Sequence, residues 1–397
     1  MSFKVNAPNK SALVVSNAAP YAFPSDGNDT EVVTRGPSQD IYSYEQYYFN
    51  ANNMFGSATL GTDISNNYIS PNQPFMGAVL APNGIIYTTP YTPDTNVLLA
   101  MDTYTDRFTI IPLPDSQRFI GGVCLPNGKI YRISFNVQIQ DTNNNTFRTV
   151  TINYGSLAGG YQGCVLGPNG KIYGVPGIAN NVLVFNPEDE SYKFLTSSAD
   201  ISEGFDRKWF GGALAPNGKI YCFPQRFATK ILVIDTNNDT ISSIGSIIAD
   251  PNTQGYYWGG CLAQNGKIYA APTNQGLDPS AGRYFLEIDP SLNTYNYVGA
   301  LQSGTRKWSG PCLAPDGWIY CAGDNVPECI RFNPNTYAIQ NLGIQNRRYS
   351  CSLGPNGKVY FPPRQGPTPS ERNAFYIVKT GYPTLQPWMM APEFNKF

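Results

Sequence analysis

The sequence contains no histidine in its 397 residues. The side chain that most often serves as general base and metal ligand near neutral pH is missing, which excludes Ser-His-Asp chemistry and histidine-bound metal centres. Charge is scarce as well: 14% of residues are charged, 27 basic against 28 acidic. No global field draws the chain to a phosphate backbone or an anionic bilayer, so no nucleic-acid partner is expected. Long apolar runs are also absent. The N-terminal stretch offers only "ALVV" (12–15), shorter than the apolar core of a secretory signal, and no other run approaches a membrane span. The expectation is a soluble chain with no standard export signal and no membrane insertion. Eight cysteines are present without a Cys-x-x-Cys pair, so the spacing of a zinc site is missing too.

What the sequence does have is one phrase, repeated. "WGGCLAQNGKIYAAP" (258–272) has near-copies centred on Gly84, Gly128, Gly170, Gly218, Gly266, Gly317 and Gly357, at spacings of 44, 42, 48, 48, 51 and 40 residues. That range suits a four-stranded propeller blade. Asn-Gly or Asp-Gly between two apolar runs is a strong hairpin signal, because a type I′ turn needs positive φ at both central residues. A second apolar run, such as "NVLVFNPEDESYKFL" or "KILVIDTNNDTISSI", breaks at Asp or Asn and resumes with alternating residues, so it reads as a second hairpin. Two hairpins give four antiparallel strands, and seven such units close into a ring without a long exposed edge. The sequence thus predicts an all-β, seven-bladed β-propeller over residues 72–397. Residues 36–71 are expected to supply a closing strand, with "DIYSYEQYYF" (40–49) as its best segment, and residues 1–35 an extended N-terminal arm.

Five cysteines (Cys124, Cys164, Cys261, Cys312 and Cys351) fall in the apolar run before the repeated turn, and Cys222 and Cys321 in the run after it. These are places for small apolar fillers on strands. All eight cysteines, Cys329 included, are expected to be unpaired thiols, which implies folding in a reducing compartment.

The order "GG-x-L-A-P-N-G-K-I-Y" followed by "N-x-V-L-V-F-N-P" resembles the strand-turn-strand units of NHL-type propellers and, more distantly, gluconolactonase-like and kelch propellers. The gluconolactonase-like resemblance implies a divalent metal held by Glu, Asn and Asp in the channel, for which Glu203, Asp206, Asp235, Glu287 and Asp289 are on offer. Asp235 and Asp289 sit in second-hairpin turns, where Asp is ordinary turn chemistry, and neither a metal nor another cofactor is expected.

Function should lie where the copies differ. Just before the inner strands stand Arg118; Arg207, Lys208 and Trp209; Trp258; Arg306, Lys307 and Trp308; and Arg347 and Arg348. One reading makes them a rim at the channel mouth that binds a glycan or an anionic surface ligand, since Arg forks recognise carboxylate or phosphate and aromatics stack on flat rings. The other makes the aromatics wedges between blades and the charges ordinary surface pairs. Unpaired cysteines combined with a low-charge surface rich in Asn, Thr and Tyr suit a protein that folds in a reducing cytoplasm and is later released. The expectation is a non-enzymatic structural and binding component of a virus or phage particle, in its capsid surface, tail or fibre. It would attach to other structural proteins of that assembly through its N-terminal arm. The alternative is a cytoplasmic or extracellular propeller, either a protein-interaction scaffold or a gluconolactonase-like metal-dependent hydrolase.

Overall fold

The computed structural model describes residues 75–91, 97–114, 118–197, 201, 208–225, 228–245, 257–273, 284–300, 307–324, 328–345, 348–363 and 375–380, together with the backbone of short strands at 3–6, 12–15, 22–24, 32–34 and 59–60. Seven four-stranded antiparallel sheets follow one another along the chain. Blade 1 runs Phe75–Leu80, Ile85–Pro90, Val97–Asp102, Arg107–Pro112, and blade 2 Val123–Cys124, Lys129–Ile133, Val137–Asp141, Thr146–Val150. Blade 3 is Tyr161–Leu166, Ile172–Pro176, Val182–Phe185, Tyr192–Leu195, and blade 4 Trp209–Leu214, Lys219–Pro224, Ile231–Asp235, Thr240–Ile244. Blade 5 is Tyr257–Leu262, Ile268–Pro272, Phe285–Asp289, Thr294–Val298, and blade 6 Trp308–Leu313, Ile319–Gly323, Glu328–Phe332, Ile339–Gln345. Blade 7 takes Ser352–Leu353, Lys358–Phe361 and Tyr376–Lys379, and its outer strand is Thr59–Leu60, paired through Tyr376 with Leu60 and Ile377 with Thr59. The last blade thus combines both ends of the ring, so opening it requires breaking a sheet. The segment 40–49 lies outside the described residues. At residues 3–34 the backbone forms two hairpins, Phe3–Asn6 with Ala12–Val15 and Ala22–Pro24 with Val32–Thr34.

The seven repeat glycines occupy equivalent turns, with φ between 73° and 79°. That backbone conformation disfavours any side chain, which is why the turn residue is Gly in every copy. The turn between third and outer strands also ends in a left-handed residue, at Asp106, Asn145, Glu190, Asp239, Asn293 and Tyr337. Asp and Asn tolerate that region best. Tyr337 is held there by its hydroxyl, which donates to Glu287 Oε2 at 3.0 Å, and by stacking of its ring on Phe332.

Packing lies in the seams between blades. Separate apolar clusters join blades 1 and 2, 2 and 3, 3 and 4, 4 and 5, and 5 and 6, and one large cluster joins blades 6, 7 and 1. The repeated Asn-Gly-Lys-x-Tyr phrase stitches the seams on the turn face. Asn169 of blade 3 donates to the Tyr173 hydroxyl (2.8 Å) and to the Thr236 carbonyl of blade 4 (2.7 Å). The Tyr173 hydroxyl donates to Asp239 Oδ1 at 2.5 Å, and Lys171 pairs with the other oxygen of that carboxylate at 2.8 Å. The same latch closes the ring: Asn356 donates to the Tyr360 hydroxyl and the Thr103 carbonyl, Tyr360 donates to Asp106 Oδ1 at 2.6 Å, and Lys358 pairs with Asp106.

All eight cysteines are unbridged, and seven of them are buried. Burial pushes the Cys124 and Cys164 thiols up to about 12, so they are uncharged and unreactive at neutral pH. Cys351 and Cys312, on neighbouring inner strands, have their sulfurs 3.2 Å apart. A thiol count on denatured protein, purified and assayed without reductant, is expected to return eight. Six would mean that this one pair has closed, and four or fewer would end the argument for a reducing compartment.

Candidate functional site

Every inner-to-second and third-to-outer turn lies on one face of the ring and is short. The connections that vary are on the other face: the loop between second and third strands spans 134–136 in blade 2 but 273–284 in blade 5 and 362–375 in blade 7. The rigid ring therefore offers its variation around one mouth of the central axis, the usual location of binding residues on such scaffolds.

Three successive positions of each blade build this mouth. The residue nine places before the turn glycine (Phe75, Phe119, Tyr161, Trp209, Tyr257, Trp308 and Arg348) is buried in every blade. Trp209 is fully enclosed among Val165, Tyr173, Val175 and Val182 of blade 3 and the interior of its own blade, and its indole N–H donates to the Lys230 carbonyl at 2.8 Å. Trp308 packs near Phe285 and donates to the Glu328 carbonyl at 3.1 Å. Arg348 takes the same position with no exposure, its guanidinium 4.8 Å above the Tyr376 ring.

The next residue faces the axis. Met76, Ile120, Phe210 and Trp258 form one buried cluster, with Tyr91 and Tyr349 against it. Side chains from so many blades can meet only on the axis, so they form a floor across the channel. Phe210 and Trp258 stack with centroids 5.2 Å apart and planes at 11°, and Tyr349 lies 6.0 Å from Trp258. The Trp258 indole N–H and the Gln162 side-chain carbonyl oxygen are buried without a protein partner among the described residues. Such groups are normally satisfied by water or a ligand.

The preceding position carries the basic residues. Lys208 is buried, donates its backbone N–H to the Gly177 carbonyl (3.1 Å) and its Nζ to the Ile201 carbonyl (3.2 Å), and burial lowers the pKa of its amine. Lys307 is buried as well, and its carbonyl accepts from Asp324 N at 2.9 Å. Backbone bonds of this kind run around the mouth from blade to blade: Phe119 N to Pro90 O, Tyr161 N to Ser134 O, Lys208 N to Gly177 O and Arg348 N to Gly323 O. Arg118 is exposed, whereas Arg207, Arg306 and Arg347 lie outside the described residues.

The rim read from the sequence therefore divides. Arg118 faces solvent, Lys208 and Lys307 sit beneath the loop face, Trp209, Trp308 and Arg348 are seam wedges, and Trp258 belongs to the axial floor. Sequence reasoning missed Phe210, Tyr349, Met76 and Ile120, and the signal was available: counting back from the turn glycine separates Trp258, eight residues ahead of Gly266, from Trp209 and Trp308, nine ahead of theirs. Of the acidic residues offered for a metal, Glu203 and Asp206 lie outside the described residues. Asp235 and Asp289 cap turn-face backbone, accepting from Asn237 N and Ser291 N at 3.0 Å. Glu287 is engaged by Lys267, Tyr269 and Tyr337. Among the described residues no group of three or more Cys, Asp or Glu is gathered to hold a metal ion.

Comparison with protein families and with curated proteins returns no match. Solved structures do match in fold. A streptogramin B lyase aligns with a TM-score of 0.63 at 12% identity, covering 82% of this chain and 98% of that one. A catalytically inactive histidine-to-alanine variant of virginiamycin B lyase from Staphylococcus aureus, solved with quinupristin, aligns at 0.62 and 12%, covering 81% and 99%. The WD40 repeats of RRP9 align at 0.58 and 10%, covering 81% and 97%. At these identities the shared property is architecture: the chain is a seven-bladed β-propeller.

Proposed function

We propose that this propeller is a non-enzymatic structural and binding component of a virus or phage particle, which attaches through residues 1–35 and presents its loop-bearing mouth to an anionic or sugar-bearing partner. The axial floor carries the binding half of this reading: stacked Phe210 and Trp258 with Tyr349 beside them give a flat aromatic base, and Lys208 and Lys307 stand two residues ahead of the floor position in blades 4 and 6. Aromatic faces stack on sugar rings and cations take carboxylate or sulfate. Unbridged buried thiols and a low-charge sequence support folding in a reducing cytoplasm before release in a particle. A second reading, catalysis at the same mouth, is favoured by the likeness in fold to the lyases. Against it, replacing a histidine inactivates the S. aureus enzyme, and this chain has no histidine at all.

An array of sulfated, sialylated and neutral oligosaccharides tests the binding half. Retention of anionic glycans is expected, with affinity reduced roughly tenfold or more by the paired change Arg118→Ala and Tyr349→Ala, since one charge-assisted contact is worth about 1.5–3 kcal/mol. Sedimentation of the full chain with particles, lost when residues 1–35 are deleted, tests the assembly half. A protein that stays soluble in infected cells and cleaves a lactone or a streptogramin would replace this reading with the enzymatic one.

A further inference from the structure

Four residues past the turn glycine, on the second strand, blade 2 departs from the neutral or apolar filling of the other blades. On its second strand Arg132 stands where other blades have Thr88, Gly174, Cys222, Ala270, Cys321 or Phe361. On its third strand Gln138 and Gln140 replace the Leu183 and Phe185 of blade 3 and the Leu232 and Ile234 of blade 4, in matching register. All three polar side chains are at most 1% exposed. Gly122 makes the room for Arg132: a Cβ there would stand 3.0 Å from the Arg132 Cγ and 2.8 Å from the Tyr131 carbonyl oxygen.

The guanidinium makes one hydrogen bond, from Nη2 to Gln140 Oε1 at 2.7 Å. Among the described residues its Nε and Nη1, the Gln140 amide nitrogen and the Thr89 hydroxyl have no protein partner, although every one of them is buried. Thr89 belongs to the blade 1 side of the same seam, beside the Ile120–Gly121 backbone. Among the described residues the titratable groups facing Arg132 are Cys124, Cys164 and Tyr87, with no carboxylate among them. Burial pushes those two thiols up to about 12 and raises the tyrosine, so all three face Arg132 uncharged. Burial lowers the guanidinium only to about 10, so it keeps its proton at neutral pH. An enclosed positive charge with unused N–H groups and no counter-charge is costly, and such charges are paired in stable folds.

We propose that the seam between blades 1 and 2 is a binding site for one small monovalent anion of the halide class, held against the Arg132 guanidinium with the Gln140 amide and Thr89 hydroxyl as further donors. A closed seam favours a monatomic ion over phosphate or sulfate. The acceptors it holds near the charge are Gln140 Oε1, already taken by Nη2, and the side-chain carbonyl oxygen of Gln138, the residue in register with Arg132, against the remaining N–H groups of the guanidinium, the Gln140 amide and the Thr89 hydroxyl.

Thermal unfolding of the full chain at constant ionic strength, with gluconate replaced stepwise by chloride or bromide, reads the site. The midpoint is expected to rise by about 1–3 °C and then grow only logarithmically with halide, and Arg132→Met should abolish that dependence. Crystals grown in bromide are expected to show an anomalous peak within hydrogen-bonding reach of Arg132. If the variant does not fold, the wild-type halide series and the bromide peak decide alone. A midpoint indifferent to halide, or ordered water in place of the anomalous peak, overturns the proposal.

Discussion

Trp209→Ala is expected to lower the unfolding free energy by about 3–5 kcal/mol in a urea melt, whereas Arg118→Ala changes it by less than about 0.5 kcal/mol. The contrast follows from the positions that these neighbours of inner strands occupy. Trp209 is wholly buried between blades 3 and 4, packed among Val165, Tyr173, Val182, Ile220 and Leu232. Removing its ring leaves a cavity in a seam and strands the Lys230 carbonyl that its indole N–H serves at 2.8 Å. Arg118 stands in solvent. Arg348 belongs with the first class: it holds the wedge position of blade 7, stacks over Tyr376 and has no exposure, so Arg348→Ala costs packing as well as charge. A Trp209 variant within about 1 kcal/mol of wild type would return that residue to the rim.

The architecture was legible because its turns obey strict chemistry. A left-handed residue at each first hairpin admits little but Gly, and the seven glycines chosen by spacing all have φ near 75°. The Tyr that every copy carries on the second strand proves to anchor the latch to the next blade through its hydroxyl, as Tyr173 does to Asp239. The rim was only half legible. Basic or aromatic letters cluster before five of the seven inner strands, yet a strand alternates its faces with period two, so a shift of one residue separates Trp258 on the axis from Trp209 and Trp308 in the seams. The halves of "RKW" and "YYW" look alike as composition and differ in register. The polar seam of blade 2 was invisible for another reason: Arg and Gln on strands read as solvated by default, and only the ring shows that Arg132, Gln138 and Gln140 have no solvent to face.

Blade 6 supplies the expected pH effect. Its turn reads Pro-Asp-Gly-Trp where blade 4 reads Pro-Asn-Gly-Lys, and the Asp316 carboxylate is 4% exposed. Burial raises its pKa from 3.8 to about 6, outweighing the Tyr320 hydroxyl at 2.7 Å, the Trp318 N–H at 3.1 Å and the Arg331 guanidinium at 3.2 Å, all of which favour the charged form. The fold therefore binds a proton at Asp316 more tightly than the unfolded chain does. The resulting stabilisation is fully present below about pH 4, declines as the pH rises through about 6, and is gone at neutral pH; a rise of that size is worth about 3 kcal/mol. Asp316→Asn keeps the acceptor for Trp318 and the polar contact with Tyr320, removes the buried charge, and restores the amide that latches blades 3, 4 and 5 to their neighbours. Chemical unfolding at pH 4.5 and pH 7.5 provides the measurement. Wild type is expected to lose stability relative to the variant on going to the higher pH, by about 2 kcal/mol in the difference between the two proteins. A difference that is flat across that interval, or one of opposite sign, would show that Arg331 holds Asp316 ionised throughout and that the buried pair is no burden to the fold.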